Sequence, residues 1–309
     1  MVAVKSKAPL LMRIRYRLES LVGPSARRDV YMRFLEADRA AAIRLIASPT
    51  GFVEHLRGWW ALTYSRLCAP APASLGARGV ELRAKGVTVL GPVVPPSALR
   101  PLVALFQERR CSASARRIVE GGQLVYEGVT FGPEDLPTVT AAIVPEIVDA
   151  LRAVTGGGFR VLRYLAWRTY HNPTANREFY SEKWHSDANR TDLHHVFVFL
   201  NDVTPDDGGT IVADRQTTHA ACRAGYRNRN AYGGAASILA ALDQHRGVCG
   251  PAGTAYLLNP NLCLHRAGIP APGRYRDVLH MLVVASPKVD LFPGGPGSVS
   301  WIDRQQIGF

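Results

Sequence analysis

The spacing of apolar positions changes character along the chain. In the first part they recur at helical intervals. Leu11, Ile14, Leu18, Leu21 and Val22 form one stripe that Gly23-Pro24 ends. Val30, Phe34, Leu35, Ala41 and Leu45 form a second, opened by Ser25 as a cap and closed before Ser48-Pro49. A third carries Phe52, Leu56, Trp59, Trp60 and Tyr64, and the Trp pair reads as core packing because large aromatics dominate buried area. The stretch Ala69 to Gly79 (APAPASLGARG) reads as a linker or long loop.

Beyond it the texture shifts. Gly86 to Leu90 predicts a short strand, Pro95-Pro96-Ser97 introduces a helix over 98–108, and another helix is expected over 138–154, ended by Gly156-Gly157-Gly158. From Phe159 onward the runs become short, β-branched and aromatic: Phe159 to Tyr170, Val196 to Leu200, Ala255 to Leu258 and Val278 to Ala285. Turn material separates them, notably Pro205 to Gly209 and Pro270 to Gly273. One helix is expected among the strands over Ala235 to His245. Several short strands with intervening loops fit a jelly roll or barrel better than a βαβ sheet.

Composition narrows the class. A chain of 309 residues can bury roughly three quarters of its unfolded surface. With 47% hydrophobic and 20% charged residues it is an ordinary globular sequence and not a disordered one. No apolar run reaches the roughly 20 residues that cross a bilayer. Arg13, Arg15 and Arg17 interrupt the apolar stretch behind Lys5 and Lys7, which argues against a signal peptide. The five cysteines form no CxxC pair, and an odd count does not suggest a disulfide framework. A reducing, cytoplasmic compartment is the expectation.

The net charge of +12 is uneven, with twelve Lys or Arg against five Asp or Glu in residues 1–66. Such a surplus attracts acidic partners: a lipid surface, nucleic acid, or a carrier-linked or phosphorylated substrate. It is equally what a solvated, Arg-rich surface looks like, since only five of the 37 basic residues are Lys. No nucleic-acid module is recognisable.

The informative tetrapeptide is Trp184-His185-Ser186-Asp187. In an extended segment His185 and Asp187 project to one face while Ser186 points away. One imidazole and one carboxylate on a common face are two thirds of the facial triad that, with a second His, holds Fe(II) and leaves positions open. By itself HxD is weak. Downstream, Gly253 to Pro260 reads as turn, strand, turn, followed by Cys263-Leu264-His265-Arg266-Ala267-Gly268 and then by Arg274 and Arg276 at the start of another strand.

The four blocks WHSD, FVFLNDVTPDDGGT (197–210), GTAYLLNPNLCLHRAG (253–268) and RYRDVLHMLVV (274–284) resemble, in order and spacing, the phytanoyl-CoA dioxygenase-like branch of the Fe(II)/2-oxoglutarate-dependent oxygenases. The resemblance implies a double-stranded β-helix (jelly-roll, cupin-like) core over 80–286; residues 1–75, an α-helical N-terminal extension by their apolar spacing, depart from the family, and 287–309 read as a C-terminal tail. It implies Fe(II), 2-oxoglutarate and O2 as cofactor and co-substrates, with release of succinate and CO2. The iron ligands would be His185, Asp187 and His265. Arg276 would grip the distal carboxylate of 2-oxoglutarate, although Arg274 shares its strand face, and Phe197 would line the co-substrate pocket. A dicarboxylate suits the planar, always-charged fork of Arg. Halogenating relatives replace the metal-binding carboxylate with a small residue, so Asp187 implies hydroxylation or another oxidation.

Other polar residues carry less. Alternation puts Val278, His280 and Leu282 on the face of Arg276, where His280 could line the co-substrate pocket but reads rather as a buried, hydrogen-bonded core residue. Only one of His194 and His195 can face inward, and a solvent or supporting role suits them better than ligation. His171 and His219 offer no spacing argument. Arg168, Arg177 and Lys183 precede or flank the triad and are candidates for an anionic substrate group. Two other classes compete with an enzyme acting on a small molecule. One is a non-enzymatic cupin-like binding protein, which has no reason to keep the triad and the Arg together. The other is a membrane- or nucleic-acid-binding protein organised by the basic N-terminus.

Overall fold

The helices form where apolar residues at three- and four-residue spacing meet a clear start signal. In a computed structural model, residues 77–173, 183–185, 187, 193–223, 226–227, 230–231, 240–260, 263–286 and 288–292 are described. The expected N-terminal helices, positions 235–239 of the helix expected over Ala235 to His245, and the tail beyond 292 lie outside them; positions 240–243 of that helix are helical. Helix α1 (Ala77–Lys85) occupies what the Ala/Pro/Gly composition marks as the end of a linker. In α2 (Pro96–Arg110), Leu99, Leu102 and Phe106 form the buried stripe, and Arg109 and Arg110 complement the negative C-terminal end of the helix dipole. The helix expected over 138–154 is two: α3 (Leu136–Thr140) and α4 (Pro145–Thr155). Pro145 starts the second because the residue before a proline is driven out of the helical region, and Val144 is extended at ψ 162°. Gly156, at φ 77°, ends α4. A fifth helix, α5, spans Arg215–Arg223.

The strands are β1 (Val87–Pro92), β2 (Arg116–Glu120), β3 (Gln123–Thr130), β4 (Gly158–Tyr170), β5 (His194–Phe199), β6 (Ile211–Val212), β7 (Tyr226–Arg227), β8 (Asn230–Ala231), β9 (Thr254–Leu258), β10 (His265–Arg266) and β11 (Tyr275–Ser286). Seven of them make one sheet in the order β1-β9-β5-β11-β4-β3-β2, antiparallel throughout. The β2–β3 hairpin escapes a sequence reading because its strands carry mixed polar residues. It turns at Gly121-Gly122, both with positive φ, as a two-residue connection requires.

Alternation sorts the two faces of this sheet. Tyr164, Ala166, Val196, Val198, Ala255, Leu257, Leu279 and Met281 point to one side and pack with Leu102, Phe106, Ile147 and Leu151 of the helices. Burial of such a Leu or Phe contributes about 1.5–3 kcal/mol each. Phe197, Phe199, Tyr256, Leu258 and Val278 point to the other side, together with part of Trp167. There they face a smaller sheet of β6 paired with β10, which isolated antiparallel bridges extend to His185 and Gly247. Two facing antiparallel sheets with crossing connections are a double-stranded β-helix. The large sheet's inner face is therefore the floor of whatever the barrel binds.

The corner Asp207-Gly208-Gly209-Thr210 holds the small sheet to that floor. Gly208 has φ 70°, and a Cβ on it would lie 2.6 Å from the backbone nitrogen of Pro270. Only glycine permits this approach, which clamps the segment leaving His265.

Candidate active site

His185 and His265 are locked together before any metal is considered. Their backbones form an antiparallel bridge, with His185 N donating to His265 O at 2.9 Å and His265 N to His185 O at 2.8 Å. The imidazole centroids stand 4.4 Å apart. His185 Nδ1 lies 2.6 Å from the carbonyl of Lys183, and His265 Nδ1 lies 3.3 Å from that of Cys263. A carbonyl only accepts, so each Nδ1 carries the proton and each Nε2 presents a lone pair. Asp187, fixed by its N–H to Pro260 O at 3.0 Å, places Oδ1 3.6 Å from both Nε2 atoms. The three ligand atoms lie within 4.8 Å of one another. Two neutral imidazoles and one carboxylate, oriented through their far nitrogens by backbone carbonyls, fit a divalent iron with open positions.

Arg276 is the second feature. It is 2% exposed, and its Nε and Nη1 have no hydrogen-bond partner. Burial pushes its guanidinium below the usual value, while Tyr256 and Cys249 nearby act in the opposite direction. Tyr256 is itself buried, and burial pushes its hydroxyl up to about 12; it exchanges a 2.8 Å hydrogen bond with Thr210. An unpaired buried cation beside protonated hydroxyls is a receptor for a carboxylate. Arg274, which shares the strand face in sequence, is half-exposed and bonded to Asp207 at 2.8 Å and 3.2 Å.

No protein-family model matches the sequence. No curated protein matches it either. Solved structures do. The structure of the epimerase SnoN with Fe3+, alpha ketoglutarate and nogalamycin RO superposes over 69% of this chain and 84% of its own at TM-score 0.51 and 15% identity. The alpha ketoglutarate-dependent carbocyclase SnoK covers 74% and 96% at TM-score 0.51 and 16% identity. EctD from S. alaskensis, solved with 2-oxoglutarate and 5-hydroxyectoine, covers 70% and 77% at TM-score 0.52 and 16% identity. The chain has the fold of the iron/2-oxoglutarate oxygenases.

Within this oxygenase fold the remaining expected residues separate cleanly. Phe197 lies on the inner floor, stacked between Tyr256 (centroids 4.8 Å) and His280 (4.6 Å). His195 is the inward member of its pair, with Nε2 3.3 Å from Asp187 Oδ2. It makes no hydrogen bond of good geometry there, and burial, with His280 beside it, holds it well below the usual histidine value. His280 shares the face of Arg276 as alternation predicts, but it is not a hydrogen-bonded core residue: both ring nitrogens are unpartnered, and burial lowers it to about 3. His171 is tied to the carbonyl of Pro270 at 2.8 Å. Lys183 is half-buried and supplies the carbonyl that orients His185. Arg177 lies outside the described residues.

Arg168 corrects the sequence reading. It pairs in register with Asp277, one residue past Arg276, and so points to the helix-covered face, away from the triad. Its guanidinium grips Asp277 through two bonds of 2.7 Å and 2.6 Å, which raises it further above its ordinary value despite burial. It is a structural ion pair and not an anion receptor. Asp277→Ala is expected to destabilise the protein by about 3–5 kcal/mol in denaturant unfolding, because Arg168 is left charged and buried. The double replacement by Leu should recover most of that loss. A single variant as stable as the parent would show that the pair does not hold the sheet.

Proposed function

We propose that the chain is an Fe(II)/2-oxoglutarate-dependent oxygenase that oxidises, most simply by hydroxylation, a small-molecule substrate. The observation that carries this reading is Arg276. A purely structural barrel gains nothing from burying a cation whose Nε and Nη1 are unpaired, on the inner face of the large sheet, across from which the small sheet carries a His-Asp-His cluster. In this reading His185, Asp187 and His265 hold the iron and Arg276 receives the distal carboxylate of 2-oxoglutarate. The hydroxyls of Tyr256 and Thr210 stand beside it, and Phe197 forms the floor. Bound there, the metal and its co-substrate supply dioxygen-driven oxidation of a substrate bond, with succinate and CO2 as co-products. The protein's own part is orientation and dryness. Backbone carbonyls keep both Nδ1 atoms protonated, burial keeps His195 and His280 neutral, and the aromatic floor excludes water.

The test is anaerobic addition of Fe(II) and 2-oxoglutarate to the metal-free protein, watching for the weak visible charge-transfer band of the chelate. The band is expected in the parent and lost in His185→Ala. A parent that binds no iron and gives no band would overturn the proposal and leave a barrel that serves as a binding module.

A further inference from the structure

The inner floor carries a feature that neither the iron site nor the Arg276 pocket uses up. One ring from each of five adjacent strands lies in an unbroken row across the sheet. Tyr256 of β9 stacks on Phe197 of β5 (4.8 Å, 14°), and Phe197 stacks on His280 of β11 (4.6 Å, 14°). His280 meets Trp167 of β4 edge-on at 4.9 Å, and Trp167 leads to Tyr126 of β3 at 6.2 Å. At the first end the row stands beside Arg276 and Thr210. Near its middle, His195 links it to Asp187, with imidazole centroids of His195 and His280 4.5 Å apart.

Burial differs along the row. Tyr256 and Phe197 are buried, whereas Trp167, Tyr126 and the neighbouring inward residues of β4, Leu165 and Leu162, are only partly so. The outer half is therefore the part of the row that is not sealed by packing. Gly128 seats the Tyr126 ring: a Cβ there would collide with the Tyr126 hydroxyl and displace the ring. Within this half-open, apolar stretch, His280 is 5% exposed with neither nitrogen partnered. A neutral imidazole offers one donor and one acceptor, and leaving both unused in a buried site costs free energy that a ligand group would recover. Arg163, at the outer margin, is bonded to Thr130 at 3.0 Å.

We propose that the outer half of this row is the substrate platform, taking a flat, ring-bearing, uncharged molecule against Trp167 and Tyr126 and giving it a hydrogen bond from His280. The placement next to the reacting centre rests on the oxygenase reading; the platform itself does not. Ring faces stack on aromatic side chains in offset or edge-on geometry, which a flexible chain cannot match. A neutral hydroxyl or carbonyl is the natural partner of a neutral imidazole.

The probes are 2-naphthol, which has the ring and the hydroxyl, and 1-octanol, which has the hydroxyl on a chain. Both are titrated calorimetrically into the full-length, metal-free protein. The parent is expected to bind 2-naphthol about tenfold more tightly than 1-octanol. Trp167→Leu should erase that preference, with Tyr126→Leu as a second variant if the first unfolds. His280→Leu should weaken 2-naphthol about tenfold while the ring preference survives. Equal affinity for the two probes, no binding of either at millimolar concentration, or a preference that outlasts both ring replacements overturns the platform. The Fe(II)/2-oxoglutarate band, recorded on the same preparations, separates the two ideas. A band without a naphthol preference defeats the platform alone, and a preference without a band leaves it standing while defeating the oxygenase.

Discussion

Asp187→Ala is expected to lower Fe(II) affinity by more than about 100-fold and to abolish succinate formation. Residues that merely orient a ligand cost roughly 10- to 100-fold when lost, and a direct ligand must exceed that. Asp187 is the only anionic member of the cluster, 3.6 Å from each Nε2, and its backbone bond to Pro260 fixes it there. Removing it leaves two neutral imidazoles, one ligand short of the facial triad and without the negative charge that offsets the ion's. Asp187→Glu keeps the charge on a longer arm and is expected to bind iron more weakly than the parent but better than the Ala variant. His195 provides the sharpest challenge. Its Nε2 stands 3.3 Å from Asp187 Oδ2, near enough to substitute. Iron binding measured on Asp187→Ala and on Asp187→Ala/His195→Ala decides the matter. Parent-like binding in the single variant that disappears in the double would reassign the third ligand to His195.

The triad was legible because its chemistry is local. HxD needs only a two-residue period, and His265 follows from motif order; the structure brings all three within 4.8 Å. Strand positions were legible for the same reason: the run Phe159 to Tyr170 is β4 nearly to the residue. What sequence could not supply was cross-strand register. Arg168 and Trp167 are neighbours, and nothing local says which faces the barrel. Pairing of Arg168 with Asp277 settles it, and a cross-strand ion pair 109 residues apart leaves no periodic trace. Tyr256 and Trp167 were passed over because an aromatic in an apolar strand reads as core, and only partial burial marks Trp167 as a wall. His280 shows the limit in the other direction. Alternation placed it on the right face, but the absence of any partner for its nitrogens is a three-dimensional fact.

The choice between Arg276 and Arg274 was open in sequence and carries the most discriminating experiment. Arg276→Leu is expected to raise the dissociation constant for 2-oxoglutarate by about 100-fold, since a charge-assisted bidentate contact is worth up to about 3 kcal/mol. The same change should stabilise the ligand-free protein, because it removes a buried, unpaired cation. That pair of opposite effects is hard to produce any other way. At 2-oxoglutarate concentrations 100 times the dissociation constant, the parent gains about 2.7 kcal/mol from binding, seen as a rise in Tm. The Leu variant should start higher and gain almost nothing. Arg276→Lys should fall between, as a buried ammonium is a point charge without the fork and loses its proton more readily. Arg274→Leu loses only the half-exposed contact to Asp207 and should leave 2-oxoglutarate affinity unchanged. An Arg276→Leu protein that 2-oxoglutarate still stabilises as it does the parent would remove Arg276 from the site. The reading built on it would fall with it, because no other buried cation among the described residues lies on the inner floor that faces the triad.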